Sequence, residues 1–170
     1  MASRRTGSPD RHAFLTALAT RVEEPLLTAG YKQVRLREGR PHLRLWLPMD
    51  HPLAGRTSYI SLRAKGGELA FRHIIRTGSL DDSWQIVERL RQAYAERLAE
   101  ALPDEAQVIW HTADDRANAA NDQVRIVHTG GGYDDLDPDD AAQWVLAVCR
   151  VWLELLSDGL PDEIRTLAGG

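Results

Sequence analysis

The feature that most constrains the fold is a long apolar stretch near the carboxyl end, residues 137–157 (DPDDAAQWVLAVCRVWLELLS). Its apolar side chains recur at helical spacing on two neighbouring stripes, which carry Trp144 and Trp152. An apolar face this wide is typical of a helix buried against a sheet. Asp137 can cap the first turn and Pro138 suits the first helical position, so the sequence predicts a helix that begins here.

The rest of the chain predicts an α+β fold. Helical spacing indicates two more helices, at about 10–28 and 81–102. Alternation of apolar and polar residues predicts three or four strands between these helices, and two strands near 108–110 and 123–128. Because strands and helices do not alternate along the chain, we expect an antiparallel sheet with the helices mainly on one face. Trp84, Tyr94, Trp144 and Trp152 are expected to pack the later helices against that sheet.

Length and composition favour one globular domain. The chain has 170 residues, of which 43% are hydrophobic and 27% charged. We expect residues 1–9 to be a disordered tail and residues 10–167 to form the domain. No run approaches the ~20 apolar residues of a membrane span, so no membrane association is expected. The single cysteine, Cys149, cannot form a disulfide within the chain, which favours the cytoplasm and a place in the core.

Charge is unevenly distributed along the chain, although the net charge is only −4. Residues 29–80 contain ten Lys or Arg and three acids, a net charge of +7. Residues 81–170 contain seven arginines and nineteen acids, a net charge of −12. These halves can attract an anionic partner or each other in a homodimer, or they can be two solvated faces of one domain.

The most basic segment is predicted to be a β-hairpin around a turn at residues 38–41. Its leucines alternate with basic and aromatic residues, which should therefore share the opposite face of the sheet. The candidate binding residues on that face are Arg35, Arg37, His42, Arg44 and Trp46. Arginines beside an aromatic ring can hold phosphates and stack a base, so nucleic acid is a possible ligand. A solvent-exposed sheet face without a binding role would give the same alternating pattern in the sequence.

Neither a complete catalytic motif nor a cofactor-binding motif is present. The glycines at 130–132 precede a helix, but no Lys-Ser/Thr follows them as in a phosphate-binding loop. The candidate strands lack the acid-x-lysine of a restriction-type nuclease. We therefore predict no cofactor, no metal site and no catalytic residue. An enzyme remains an alternative if His73, His111 and His128, each at or near a strand, converge in space.

The second half of the chain resembles domain-of-unknown-function family 4268 over residues 57–167. The resemblance rests on VIW in a strand, VRIV in the next, the two tryptophans of the last helix and the PDEI ending. It implies a setting in bacterial defence loci. The order helix, three strands, helix, two strands, helix also resembles the type III secretion chaperone-like fold. That resemblance implies a small module that binds an extended segment of a partner protein.

These observations favour a non-enzymatic module that binds a protein partner, as an adaptor or chaperone-like domain in a bacterial defence or conflict system. The basis is a well-specified core without a complete catalytic constellation. The first alternative is a nucleic-acid-binding module that uses the basic hairpin face. The second is an enzyme with a histidine-centred site.

Overall fold

The computed structural model describes residues 8–36, 39–54, 58–65, 67–76, 80–111 and 123–169. Within these ranges the chain forms four helices and six strands, and the predicted α+β class is confirmed. The helices are α1 (Ser8–Ala29), α2 (Leu80–Ala101), α3 (Pro138–Ser157) and α4 (Asp162–Gly169). The strands are β1 (Lys32–Leu36), β2 (His42–Trp46), β3 (Tyr59–Lys65), β4 (Glu68–Ile74), β5 (Ala106–Trp110) and β6 (Gln123–His128). None of the described helices is both long and apolar enough to cross a membrane.

All described strands belong to one antiparallel sheet, in the order β1-β2-β3-β4-β6-β5. The predicted hairpin is confirmed, because β1 pairs with β2 and Arg35 lies opposite Arg44. The pairing is irregular between Lys32 and Arg35, where Gln33 has a φ of 49°. This bulge brings Lys32 opposite Trp46, so both ends of β1 contribute a basic residue beside β2.

The two faces of the sheet differ in composition. The inner face is mainly apolar, and its apolar residues join the helices in one core cluster: Leu43, Leu45, Ile60, Leu62, Leu69, Phe71, Val124 and Ile126. The outer face consists of the residues that alternate with them. Every described helix contributes buried residues to the same core cluster. The expected packing of helices on one face is therefore what the structure has.

The first helix continues further than its proline suggests. Pro25 lies inside α1, which ends four residues later at Ala29. Leu26 and Val22 are fully buried, so packing of this last turn offsets the backbone hydrogen bond that proline cannot donate. After the helix, Tyr31 donates a hydrogen bond of 2.5 Å from its hydroxyl to the carbonyl of Cys149 in α3.

Helix α3 has the predicted start and the predicted burial. The Asp137 side chain accepts a hydrogen bond of 2.7 Å from the Asp139 backbone N–H, as an N-cap does. Trp152 and Cys149 are fully buried in the core cluster. Burial raises the pKa of the Cys149 thiol, which makes it unreactive, as expected of a core residue.

The four aromatic residues expected to pack the later helices, Trp84, Tyr94, Trp144 and Trp152, are all buried. The segment after Gly159 forms the additional helix α4, which docks through Ile164 and Leu167.

Candidate functional site

The strands and the described helices carry opposite charge. The six strands contain seven Lys or Arg and one acid, a net charge of +6. The four described helices contain seven arginines and thirteen acids, a net charge of −6. All eight charged residues of the strands occupy outer-face positions in the register. The outer face is therefore a basic surface on an acidic protein.

One row of direct cross-strand partners concentrates this charge. We call it the arginine row; its members are Arg35, Arg44, Ser61, Arg72 and Arg125, on β1, β2, β3, β4 and β6. Neighbouring strands lie about 4.8 Å apart, so the row spans about 19 Å. It crosses the strands, which means that an extended ligand would lie perpendicular to them.

Arg44 is held in place by two neighbours on the outer face. Its guanidinium carbon lies 4.1 Å from the centre of the Tyr59 ring, a cation–π geometry. The same guanidinium donates to the Tyr59 hydroxyl at 3.4 Å and, through Nε, to His42 Nε2 at 3.2 Å. These contacts orient the group before any ligand arrives.

Arg125 forms an ion pair on this face. Its Nη2 contacts a carboxylate oxygen of Glu68, the single acidic residue of the described strands. The pair Ala70–Val127 separates the two residues in the register, so the Arg125 side chain extends along the sheet to reach the acid. Arg125 Nε is buried and has no hydrogen-bond partner in the described part of the chain.

The arginines repel one another in a partly buried setting. Burial lowers the pKa of Arg72, the Arg63 guanidinium lowers it further, and Tyr59 acts in the opposite direction. Burial likewise lowers the pKa of Arg125, and Arg63 again adds to the effect. A guanidinium remains charged at neutral pH, so a lowered pKa means that its charged form is less stable here than in water. A bound anion would remove that penalty.

Ser61 lies at the middle of the arginine row. Its side chain is 1% exposed although it occupies an outer-face position between Arg44 and Arg72. The Ser61 hydroxyl has no hydrogen-bond partner among the described residues. A buried hydroxyl without a partner costs free energy, which a ligand that accepts a hydrogen bond from it would recover.

The structure brings four of the five predicted site residues together. Arg35, His42, Arg44 and Trp46 share the outer face, and Arg37 lies outside the described residues. Sequence reasoning missed the further outer-face residues Tyr59, Ser61, Arg63, Arg72 and Arg125. Alternation within β3, β4 and β6 could have placed each of them on a polar face, but it could not show that these strands neighbour the hairpin.

The three histidines of the enzyme hypothesis do not converge. His73 lies opposite Val124 in β6, whereas His128 lies four residues further along that strand, about 13 Å away. His73 is buried against Trp152, and His128 lies against Trp144 with ring centroids 5.0 Å apart. Among the described residues there is no group of three His, Cys, Asp or Glu placed to hold a metal ion.

A separate cleft lies between the α2–β5 connection and α3. Its volume is about 440 Å³, and it is lined by Pro103, Glu105, His128, Leu136, Asp140, Gln143, Trp144 and Ala147. Trp144 Nε1 donates to the Glu105 carbonyl at 3.1 Å, which fixes the indole as one wall. Burial lowers the pKa of His128, and Glu105 opposes that effect. The carboxylates of the lining make this cleft unsuited to an anion.

Comparison with known proteins finds no matching family model, no similar curated protein and no similar solved structure. The resemblances to domain-of-unknown-function family 4268 and to the chaperone-like fold therefore stay predictions.

Proposed function

We propose that this chain is a binding module for nucleic acid, with the outer face of the sheet as its contact surface. The observation that carries the proposal is the arginine row: Arg35, Arg44, Arg72 and Arg125 on one face and in one register. Glu68 is the only acidic residue in the described strands. Most protein contacts to nucleic acid go to phosphate and sugar, and arginine is suited to them.

The choice of arginine supports phosphate as the recognised group. A guanidinium offers a planar fork of donors that matches two phosphate oxygens, and it is less strongly hydrated than an ammonium group. On the arginine row every cation is arginine, and the two lysines of the strands, Lys32 and Lys65, lie outside the row. A surface that needed only solubility would gain nothing from half-burying Arg44, Arg72 and Arg125 in one register.

The test is binding of a fluorescently labelled oligonucleotide, followed by anisotropy across a salt series. Wild-type protein should bind, and its affinity should fall steeply with salt as counterions are released. A variant with Arg35→Glu and Arg44→Glu should lose at least about tenfold in affinity, since two charge-assisted hydrogen-bonding groups are lost and reversed.

The matched control carries Arg97→Glu and Arg150→Glu, two exposed helix arginines, so that both variants have the same net charge. This control should bind nearly as tightly as wild type. Equal loss in both double variants would mean that net charge, and not the arginine row, governs binding. Absence of binding by folded wild-type protein at low salt would contradict the proposal.

A second candidate is a protein-binding adaptor, and a groove between α2 and α3 favours it. This groove has a volume of about 630 Å³ and is lined by Arg97, Ala101, Val151, Glu154, Leu155, Ser157 and Asp158. Val151 and Leu155 are only half-buried there, so a partner's apolar side chain could cover them. The proposed compartment is the cytoplasm, and the proposed setting is a bacterial defence or conflict system.

Purification of the tagged protein from its host, with and without nuclease treatment, separates the two candidates. A stoichiometric protein that survives nuclease treatment and is lost on Leu155→Glu would support the adaptor. Recovery of nucleic acid that is lost with Arg35→Glu and Arg44→Glu would support the nucleic-acid module.

A further inference from the structure

We infer that the outer face takes single-stranded rather than double-stranded nucleic acid, with the strand laid along the arginine row and one base stacked on Trp46. The inference rests on the proposed function and deepens it, because it names the class of nucleic acid and the residue that contacts a base.

The shape of the surface favours a single strand. Six strands about 4.8 Å apart make a face about 24 Å wide, whereas the major groove of B-DNA is about 12 Å wide and admits a helix or a two-stranded ribbon. The arginine row includes central strands, β3 and β4, which cannot reach into a groove without the rest of the sheet. A flexible single strand can follow the surface instead.

Trp46 supplies a platform for a base beside the arginine row. It follows Arg44 by two residues on β2, so both side chains share the outer face, and it lies opposite Lys32. Its side chain is half-buried, and among the described aromatic rings it has no ring neighbour and no cation above it. The neighbouring Tyr59 ring, in contrast, is covered by the Arg44 guanidinium. Trp46 is therefore the ring on which a base can stack.

The donors for the sugar-phosphate chain lie along the row from that platform. The Ser61 hydroxyl is buried without a partner one strand away from Arg44, and Arg125 Nε is buried without a partner at the β6 end. Both groups are buried, so they donate to phosphate oxygens only when the side chains that cover them move. The nucleic-acid strand would then follow one continuous path, with a base at Trp46 and its phosphates from Arg44 towards Arg125. This path crosses about three strand spacings, or about 14 Å.

The experiment compares three probes on the full chain. Two are labelled, a 12-nucleotide single strand and the 12-base-pair duplex of the same sequence. The third is heparin, a polyanion without bases, which is used as a competitor. The single strand should bind at least tenfold more tightly than the duplex at equal salt. Trp46→Ala should weaken single-strand binding about tenfold, by loss of one stacked base, and should leave heparin binding unchanged. Trp46→Phe should retain most of the single-strand affinity.

The outcomes separate this inference from the proposed function. If the duplex binds as tightly as the single strand and Trp46→Ala weakens no probe selectively, the inference is overturned while a basic nucleic-acid surface stands. If no probe binds, both fail. Should Trp46→Ala not fold, quenching of tryptophan fluorescence by the single strand decides: it should be present in wild type and reduced in Trp46→Phe. Equal quenching in both proteins counts against Trp46.

Discussion

Among single residues, the buried polar groups differ in how far they are hydrogen-bonded. Trp152 Nε1 donates a hydrogen bond of 3.1 Å to His73 Nδ1, and both residues are buried in the core. Ser61, in contrast, has a buried hydroxyl without a partner in the described part of the chain. The first arrangement stabilises the fold, whereas the second costs stability unless a ligand uses the hydroxyl.

Replacement of Ser61 by alanine should therefore stabilise the free protein while weakening nucleic-acid binding. We expect a gain of about 1 kcal/mol in the free energy of unfolding, because an unpaired buried hydroxyl is removed. Urea denaturation and oligonucleotide anisotropy measure the two effects. Ser58→Ala is the matched control, because Ser58 Oγ accepts from the Arg76 N–H at 3.0 Å and donates to the Arg76 carbonyl at 3.3 Å. That control should lose stability, and a loss in Ser61→Ala as well would contradict the interpretation.

His73 should make the fold sensitive to acid. Burial, together with the nearby charge of His51, lowers the pKa of His73 to about 3. The unfolded chain takes up this proton near pH 6.5, so the stability that His73 contributes is complete above that pH and is lost as the pH falls towards 3. In His73→Gln, the pH dependence of the unfolding free energy between pH 6 and 4 should be weaker by about 1.4 kcal/mol per pH unit.

Urea denaturation at each pH measures this dependence, and the exposed His12 provides the control. His12→Gln should keep the wild-type slope. A His73→Gln protein with the wild-type slope would show that some other group takes up the proton on unfolding.

At the scale of elements, a close backbone approach fixes the segment before α3 against the sheet. A Cβ atom at Gly132 would overlap the backbone of Gly67 and Glu68 in the β3–β4 turn. The glycines at 130–132, which resemble part of a phosphate loop in the sequence, therefore have a packing role at Gly132. This contact could not be read from the sequence, because it joins segments 65 residues apart.

Gly132→Ala should destabilise the protein by about 2 kcal/mol, the typical cost of forcing extra volume into a closed space. Gly169→Ala is the control, since a Cβ there meets nothing within 4 Å. The difference in thermal unfolding midpoint between the two variants measures the effect. Equal midpoints would contradict the close approach seen between Gly132 and the turn.

Elements with strong local signals were predictable from the sequence. The cap at Asp137 and the apolar stripes of α3 predicted that helix, and alternation around the 38–41 turn predicted the hairpin. The first helix was predicted to continue past Pro25, and buried Leu26 stabilises that last turn. Local signals failed for the final helix. Helix α4 has one fully buried residue, Ile164, too little apolar pattern to predict a helix alone.

At the scale of the whole molecule, the fold turns a charge gradient along the sequence into two layers. The strands have a net charge of +6 and the described helices −6. The sequence predicted the basic residues of the hairpin as a site, and four of these five share the outer face. It could not predict that Arg72 and Arg125, from later strands, complete the same row, because that depends on β4 and β6 being neighbours.

Chemical-shift mapping by nuclear magnetic resonance locates the nucleic-acid contact directly. Isotope-labelled protein is titrated with the single-stranded 12-mer. Each backbone amide gives its own signal, so shifts of helix residues and of outer-face residues are measured separately. The contact surface is therefore located without any substitution. The largest changes should lie along β2, β3, β4 and β6 at the arginine row and at Trp46. Changes that centre instead on the α2–α3 groove, or on the cleft beside Trp144, would contradict the outer face as the nucleic-acid site.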